Sequence, residues 1–545
     1  MEMENLKSLP RAERLKMSSY IGTAPKKIKF HHFTGKMPFF RIGSRALLLL
    51  LFSISLVSAN RIDPAGIAGS LVLSSETLQS EAVKEFSKIA GKDSEVLIIS
   101  LNSSEEVSVQ AKAFKDKVTD EGIKNIQSIY IDSDQLEPAI KTANAIWLVG
   151  DDFSKFKKIK EMEIFRLFLS RKTVLGASGK IVHGSTFSEI FPDAQIALED
   201  AEAVQQKRGK VLYRISKGTT LILSNRSIRS IGEGEVFIVL KESEFKERKT
   251  IKLKSSGRGA DLTALRFAAA DRDGPEFPKK LISPPRLEKG SLIIIGGGPM
   301  PRLAVKRFIQ LAGGNNASIV VLPTAVPDSM IPQSSAIAKT FEKFGPKEVT
   351  VLPGRKISEV DSEEYLNIFR RATGIWFGGG RQWNFVDAYH DTKALKLMHN
   401  VLDKGGVIMG SSAGASIQAE YLVRGNPLGN HDMMAEGYEK GLGFLKGVAI
   451  DQHFAERDRF KDLSSVIQRF PQLLGIGIDE GTALIVKGSI GTVQGKGQVH
   501  FYDRREIAQQ KAKDYESVGK GGRYQLVQRK VVNLGEISDQ GSKKQ

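Results

Sequence analysis

The sequence contains no cysteine. Disulfides, thiolate metal sites, cysteine nucleophiles and a lipid-modified cysteine anchor are therefore excluded, and any redox compartment is allowed. Long apolar runs are scarce as well. The longest, from Ala46 to about Val57, is too short to span a bilayer comfortably, and no second stretch is long enough. Zinc-finger spacing, an aromatic RNA-binding signature and a basic-zipper pattern are all missing. The run "GGGP" at 296–299 does not complete the dinucleotide pattern G-x-G-x-x-G, and no metal or cofactor is expected.

What is present is a chain of 545 residues, 41% of them hydrophobic, which is enough for two or more domains. The formal net charge is +18. Much of the excess lies at the ends: residues 1–46 carry ten Lys or Arg against three Asp or Glu, and the last forty residues are also Lys/Arg-rich. We read a basic leader or over-long start (1–36) and a basic tail (509–545), with no nucleic-acid surface. Residues 37–59, "MPFFRIGSRALLLLLFSISLVSA", have the form of a secretory signal peptide. Arg41 and Arg45 supply the charged region, and Val57-Ser58-Ala59 the small-residue cleavage site. The expected location is secreted or periplasmic.

Between these ends the chain repeats itself. "GSLVLSSE" from Gly69 is echoed by "GSLIIIGGGP" from Gly290, and "ANAIWLVGDD" by "ATGIWFGGGR". "KTVLGASGKIV" is echoed by "GGVIMGSSAGAS", and "ISKGTTLIL" by "IDEGTALIV". The expected organisation is two homologous domains, 66–245 and 288–508, joined by a Lys/Arg/Gly/Pro-rich linker over 246–287. Each alternates continuous apolar runs with helical patterns. In the second, strands are expected near 291–295, 318–322, 349–352, 374–377 and 406–409. Continuous runs mean that both faces of each sheet are covered. The fold class is α/β, with two tandem doubly wound domains, mostly parallel sheets, and ligands at the carboxyl ends of the strands.

Those strand ends carry the chemistry. "GSSAG" at 410–414 has the form G-x-S-x-G, which places Ser412 on a tight turn with its hydroxyl exposed. A nucleophilic serine needs a base, a group orienting that base, and an oxyanion hole. Among eight histidines, His453 in "AIDQHFAERDRF" lies among polar and charged groups just after an expected strand. "LLGIGIDEGTALIV" offers two acids, Asp479 and Glu480, at the end of another apolar run. Backbone N–H groups of Gly378-Gly379-Gly380, with that of Ala413, suit an oxyanion.

Taken together, "GSSAG", "GGGRQ", "DQHFAERDR" and "GIGIDEGTAL" resemble the cyanophycinases. These stand with dipeptidase E among the serine peptidases on a class I glutamine-amidotransferase-like fold. The resemblance covers about 290–505 strongly and the first unit only as a degenerate copy. It implies a triad of Ser412, His453 and Glu480, and an oxyanion loop at Gly379-Gly380. It also implies substrate contacts from Gln382, Asp451, Gln452, Arg457 and Arg459. The implied substrate is a poly-aspartate backbone bearing arginine on its β-carboxylates, cleaved to β-aspartyl-arginine dipeptides. On that basis Arg457 and Arg459 grip aspartyl carboxylates, and Asp451 or another acid holds the guanidinium. Two positions depart from the family pattern: Asp462 stands where a third arginine is usual, and Arg381 replaces the asparagine of "GGNQ".

In the first unit Lys180 replaces the second motif glycine beside Ser178, which aligns with Ser412. Val149-Gly150-Asp151 replaces the triple glycine, and Lys217 takes the position of Glu480. No counterpart of "DQHF" is found. An inactive domain is expected, pairing with the active one within the chain or in a homo-oligomer. Three other readings remain at this point. One is a peptidase for other β-aspartyl or acidic peptides. Another is an α/β-hydrolase-like esterase using Ser412, Asp479 and His500. The third is a binding protein that has lost catalysis.

Overall fold

The computed structural model describes residues 62–182, 193–199, 204–255, 257–331, 336–505 and 514–532. The expected signal segment and His31, His32 and His183 lie outside the described residues. Among the described residues no helix is long and apolar enough to cross a membrane.

Two large mixed sheets organise the chain. In the second half, five parallel strands run in the spatial order Glu348–Val351, Ser318–Leu322, Gly374–Phe377, Val407–Ser411 and Ser291–Ile295. The antiparallel strands Thr482–Lys487 and Ile490–Gly495 continue that sheet. In the first half the order is Ile126–Tyr130, Val96–Ser100, Ala145–Val149, Val174–Ser178 and Ser70–Ser74, again parallel. There the antiparallel strands Thr219–Ser224 and Ser227–Gly232 follow. The strand that comes first in sequence is fifth in both.

The apolar runs form strands because each buries side chains on both faces. In the second half Leu292, Ile294, Ile375, Phe377 and Ile408 face one core. Their neighbours Ile293, Ile295, Trp376, Val407 and Met409 face another. The helix Arg302–Leu311 covers the latter with Ala304, Val305, Phe308 and Ile309. In the first half Leu71, Leu97, Ile146 and Leu175 alternate with Val72, Ile98, Trp147 and Val174 in the same way.

Each half also has a smaller sheet. The second half's sheet orders Ala419–Tyr421, Leu445–Gln452, Leu474–Ile478, Val499–Tyr502 and Tyr515–Val518. The first half's orders Ala194–Leu198, Val211–Ile215, Glu235–Leu240 and Lys249–Lys254. Twenty-one residues, 453–473, separate Gln452 from Leu474, whereas only twelve, 199–210, separate Leu198 from Val211. The stretch that begins with His453 therefore has no room in the first half.

Three expectations need correction. The segment 246–287 is no free linker, because Lys249–Lys254 pairs with Glu235–Leu240 and Leu262–Asp273 is a helix with five buried side chains. The tail expected from 509 contributes Tyr515–Val518 and Arg523–Gln525 to sheets, since its apolar positions Val518 and Tyr524 are needed in the core. The third concerns register. Ser74 pairs with Ser178 as Ile295 pairs with Ser411, so Ser178 corresponds to Ser411, and Gly179 takes the place of Ser412.

Candidate active site

The strand Val407–Ser411 ends at Ser412, whose φ is +56°, and a helical turn starts at Ala413. A left-handed serine costs about 1–2 kcal/mol, and the sharp turn it makes displays the hydroxyl. Both motif glycines are sterically required. A Cβ on Gly410 would lie 2.0 Å from the Gly414 carbonyl oxygen, and one on Gly414 2.1 Å from that of Phe377. The Ser412 N–H is held by Ile295 O at 3.0 Å.

The smaller sheet delivers the other two groups. His453 follows Leu445–Gln452, and Glu480 follows Leu474–Ile478. Ser412 Oγ is 2.9 Å from His453 Nε2, and His453 Nδ1 is 2.5 Å from Glu480 Oε1. In the tautomer with its proton on Nδ1, the imidazole donates to Glu480 and offers Nε2 as acceptor to the serine hydroxyl. His453 is buried, 9% exposed, and this burial lowers its pKa below the ordinary histidine value. Arg457 and Arg459 lower it further, while the bond to Glu480 opposes the shift. The ring is thus neutral at neutral pH, as a general base must be.

Gly378-Gly379-Gly380 follows the adjacent strand Gly374–Phe377. A Cβ on Gly379 would sit 3.4 Å from the Ser412 Cβ, so this loop abuts the serine. Gly380, at φ +141°, leaves no room for a side chain against Ala325 O. Among the described residues the N–H groups of Gly379, Gly380 and Ala413 have no backbone acceptor. Donors of this kind suit a developing oxyanion.

The strand Ser291–Ile295 supplies a support that the sequence reading missed. The missing side chains of the "GGGP" turn after it make room for the imidazole and the acid. A Cβ on Gly297 would lie 2.2 Å from His453 Cε1, and one on Gly298 2.6 Å from Glu480 Oε2. Gly296 O accepts from His453 N at 2.6 Å, and Gly297 O from Gly481 N at 2.9 Å. Three consecutive glycines at a strand end were the available signal.

Asp479 and His500 form a separate pair, with His500 Nε2 3.1 Å from Asp479 Oδ1. The other His500 nitrogen faces Ser517 Oγ at 2.8 Å, so neither nitrogen is available to Ser412. Asp479 also accepts from Ala455 N and Gln498 N. Its burial pushes the pKa up, but His500 and these N–H groups outweigh that and hold it below the usual carboxylate range. The geometry therefore opposes the esterase arrangement: Asp479 fastens the loop, and Glu480 is the carboxylate bonded to the His453 ring.

The expected substrate-contact residues divide. Arg457 is exposed and has no ion-pair partner among the described residues. Asp451 is fully buried between Arg424 Nη2 at 3.1 Å and Arg459 Nη1 at 2.8 Å. Arg459 also donates to Gln452 O, and Arg424 to Asp462 Oδ2 at 2.6 Å. The expected grips by Asp451 on a guanidinium and by Arg459 on a carboxylate are therefore corrected, because both charges are already satisfied inside the protein. Gln382 is likewise buried, donating to Val423 O at 3.0 Å. Gln452 is buried beside His453, and its Oε1 has no hydrogen-bond partner among the described residues. Arg424 was missed, since a lone arginine in "YLVRGNP" carries no pattern.

Residues 292–493 match Peptidase family S51. The chain is 33% identical over 231 residues to a cyanophycinase of Synechococcus elongatus, a match covering 40% of this chain and 70% of that one. It is 30% identical over 226 residues to a cyanophycinase of Geminocystis herdmanii, covering 40% and 83%. Among solved structures, a peptidase from an acI-B1 Actinobacterium is 21% identical, with a TM-score of 0.35, covering 44% of this chain and 97% of that one. With relatives so covered and a serine displayed at the strand end, the chain belongs to peptidase family S51 and is a serine peptidase.

Proposed function

We propose that the second half is a cyanophycinase-like exopeptidase in which Ser412 is the nucleophile, His453 the general base and then acid, and Glu480 the orienting carboxylate. The observation that carries this is the unbroken contact from Ser412 Oγ through the His453 ring to Glu480, each group at the end of a different strand. His453 Nε2 takes the serine proton as Oγ attacks the carbonyl carbon. The oxyanion forms against Gly379, Gly380 and Ala413 N–H. The proton then passes to the leaving amine, and water hydrolyses the acyl-enzyme by the reverse relay.

The substrate is a β-aspartyl polymer or peptide, with cyanophycin releasing β-aspartyl-arginine as the first choice. The exposed Arg381 and Arg457 flank the serine–histidine pair along the sequence, and neither has an ion-pair partner among the described residues. With Asp451 and Asp462 both committed to Arg424, neither carboxylate is left to receive a substrate guanidinium at this edge. That observation favours, as a second reading, acidic β-aspartyl peptides lacking arginine. The chain from Asn60 onward, given cyanophycin or unsubstituted β-aspartyl peptides, separates the two by product analysis. Release of β-aspartyl-arginine supports the first reading, and turnover of the unsubstituted peptides alone supports the second. Turnover of neither overturns the assignment.

We further propose that the two halves descend from a duplication and that the first is not catalytic. Gly179 stands at the nucleophile position and Lys217 at that of Glu480, and the connection that would bear the histidine is short. Export through the 37–59 segment belongs to the same proposal.

A further inference from the structure

Arg226 lies in the first half, on the turn between Thr219–Ser224 and Ser227–Gly232, yet three of its partners belong to the second. Asp261, from the first half, fixes the guanidinium through two bonds of 2.9 Å, to Nε and Nη2. Nη1 reaches Asp387 Oδ2 at 2.5 Å, and Nη2 reaches Tyr438 OH at 2.8 Å. Tyr438 OH in turn donates to Asp387 Oδ1 at 2.7 Å, which closes a ring of bonds. The guanidinium carbon also stands 4.7 Å from the centre of the Trp383 ring. Its side chain is 20% exposed and those of Asp261 and Asp387 8% and 12%, so water screens this tie only partly.

The two segments held meet beside the loop that abuts the nucleophile. Asp387 and Trp383 lie on the helix Trp383–Tyr389, which begins directly after the Gly378–Gln382 loop. Tyr438 closes the excursion that starts at Arg424: a Cβ on Gly425 would lie 2.4 Å from Tyr438 O. Gln382 Nε2 joins the two segments through Val423 O. A rigid guanidinium fork anchored on Asp261 thus fixes the helix behind the glycine loop against the first half.

We infer that Arg226 is a positioning residue, through which the first half holds the Gly379-Gly380 loop in register with Ser412. The inference rests on the reading of that loop as the oxyanion site. Donors displaced by about an ångström lose roughly a hundredfold in rate, whereas ground-state binding is less affected.

The test is steady-state kinetics on a β-aspartyl peptide substrate, with thermal melts as the check on folding. Arg226→Ala is expected to lower kcat by about ten- to a hundredfold, with KM within about threefold. Arg226→Lys, which keeps charge but not the fork, is expected to recover part of the loss. Tyr438→Phe removes one hydroxyl and is expected to cost about three- to tenfold in kcat; it carries the test if Arg226→Ala does not fold. Folded variants with wild-type kcat overturn the inference, and so does a loss confined to KM. Ser412→Ala is run alongside. If it retains activity, the catalytic reading fails; if it is inactive while Arg226 and Tyr438 variants are unaffected, only the positioning role fails.

Discussion

Two turns follow corresponding strands of the two large sheets. After Val174–Ser178 the left-handed step is taken by Gly179, at φ +73°; after Val407–Ser411 it is taken by Ser412, at φ +56°. Glycine makes that step without steric cost, whereas serine makes it at about 1–2 kcal/mol. Of these two turns, the strained one is the one that places a hydroxyl at that step. The neighbouring turns differ in the same sense. By strand register, Ser75, Glu76 and Thr77 stand where the second half has Gly296, Gly297 and Gly298. Ser75 N and Gly296 N even bond to equivalent carbonyls, Thr219 O and Thr482 O. The second half leaves a side-chain-free shelf for His453 and Glu480, and the first fills it with its own side chains. Backbone topology is thus shared, while the space, the histidine and the carboxylate are not.

The contrast breaks most completely at the nucleophile. Ser412→Ala is expected to lower kcat by about four orders of magnitude or more with no loss of melting temperature. The reciprocal change, Gly179→Ser, is expected to restore nothing, since among the described residues no base or acid faces that turn; a Ser412→Ala/Gly179→Ser protein with measurable turnover would contradict this. Next in size are the acid and the shelf. Glu480→Gln is expected to cost about 10²–10⁴ in kcat through loss of the imidazole's orientation. Gly297→Ala is expected to cost about a hundredfold by pushing the His453 ring off the serine.

Asp479→Asn sharpens the distinction between adjacent acids. It is expected to cost about 1–3 kcal/mol of stability, read by denaturant melts, with a smaller effect on rate than Glu480→Gln.

A pH profile gives a smaller effect. His453 must be neutral to accept the serine proton, so kcat/KM is full above its pKa and falls as pH drops through it. Burial lowers that pKa, so the acid limb should lie below the ordinary histidine value of about 6.5. Arg457 adds to the lowering, so Arg457→Gln should move the limb to higher pH. The smallest effect is that of Gly179→Ala, about 1–2 kcal/mol in stability and none in kcat.

Much of this was legible in the sequence, for identifiable reasons. The strands were readable because runs such as "SLIII" and "VIM" are buried on both faces. Ser412 and His453 were readable as candidates because each follows such a run, and so were Asp479 and Glu480 as a pair; only the family resemblance chose between those two acids. The register of Ser178 was not, because "GASG" and "GSSAG" both set serine among small residues and only strand pairing separates the two alignments. The roles of Asp451 and Arg459 were hidden because a charged residue near a site reads as a ligand contact until its partner is seen. That partner, Arg424, lies 27 residues from Asp451. Arg226 was invisible for the same reason, standing 161 residues from Asp387.

The central claim is that one serine, at the second of two corresponding turns, carries the chemistry. Labelling the active protein with a serine-directed phosphonate, followed by peptide mapping and turnover measurement, tests it most directly. The expected result is one equivalent of label on Ser412 with activity lost in proportion. Label on Ser178 or Ser411, or full activity after Ser412 has been labelled, would contradict it.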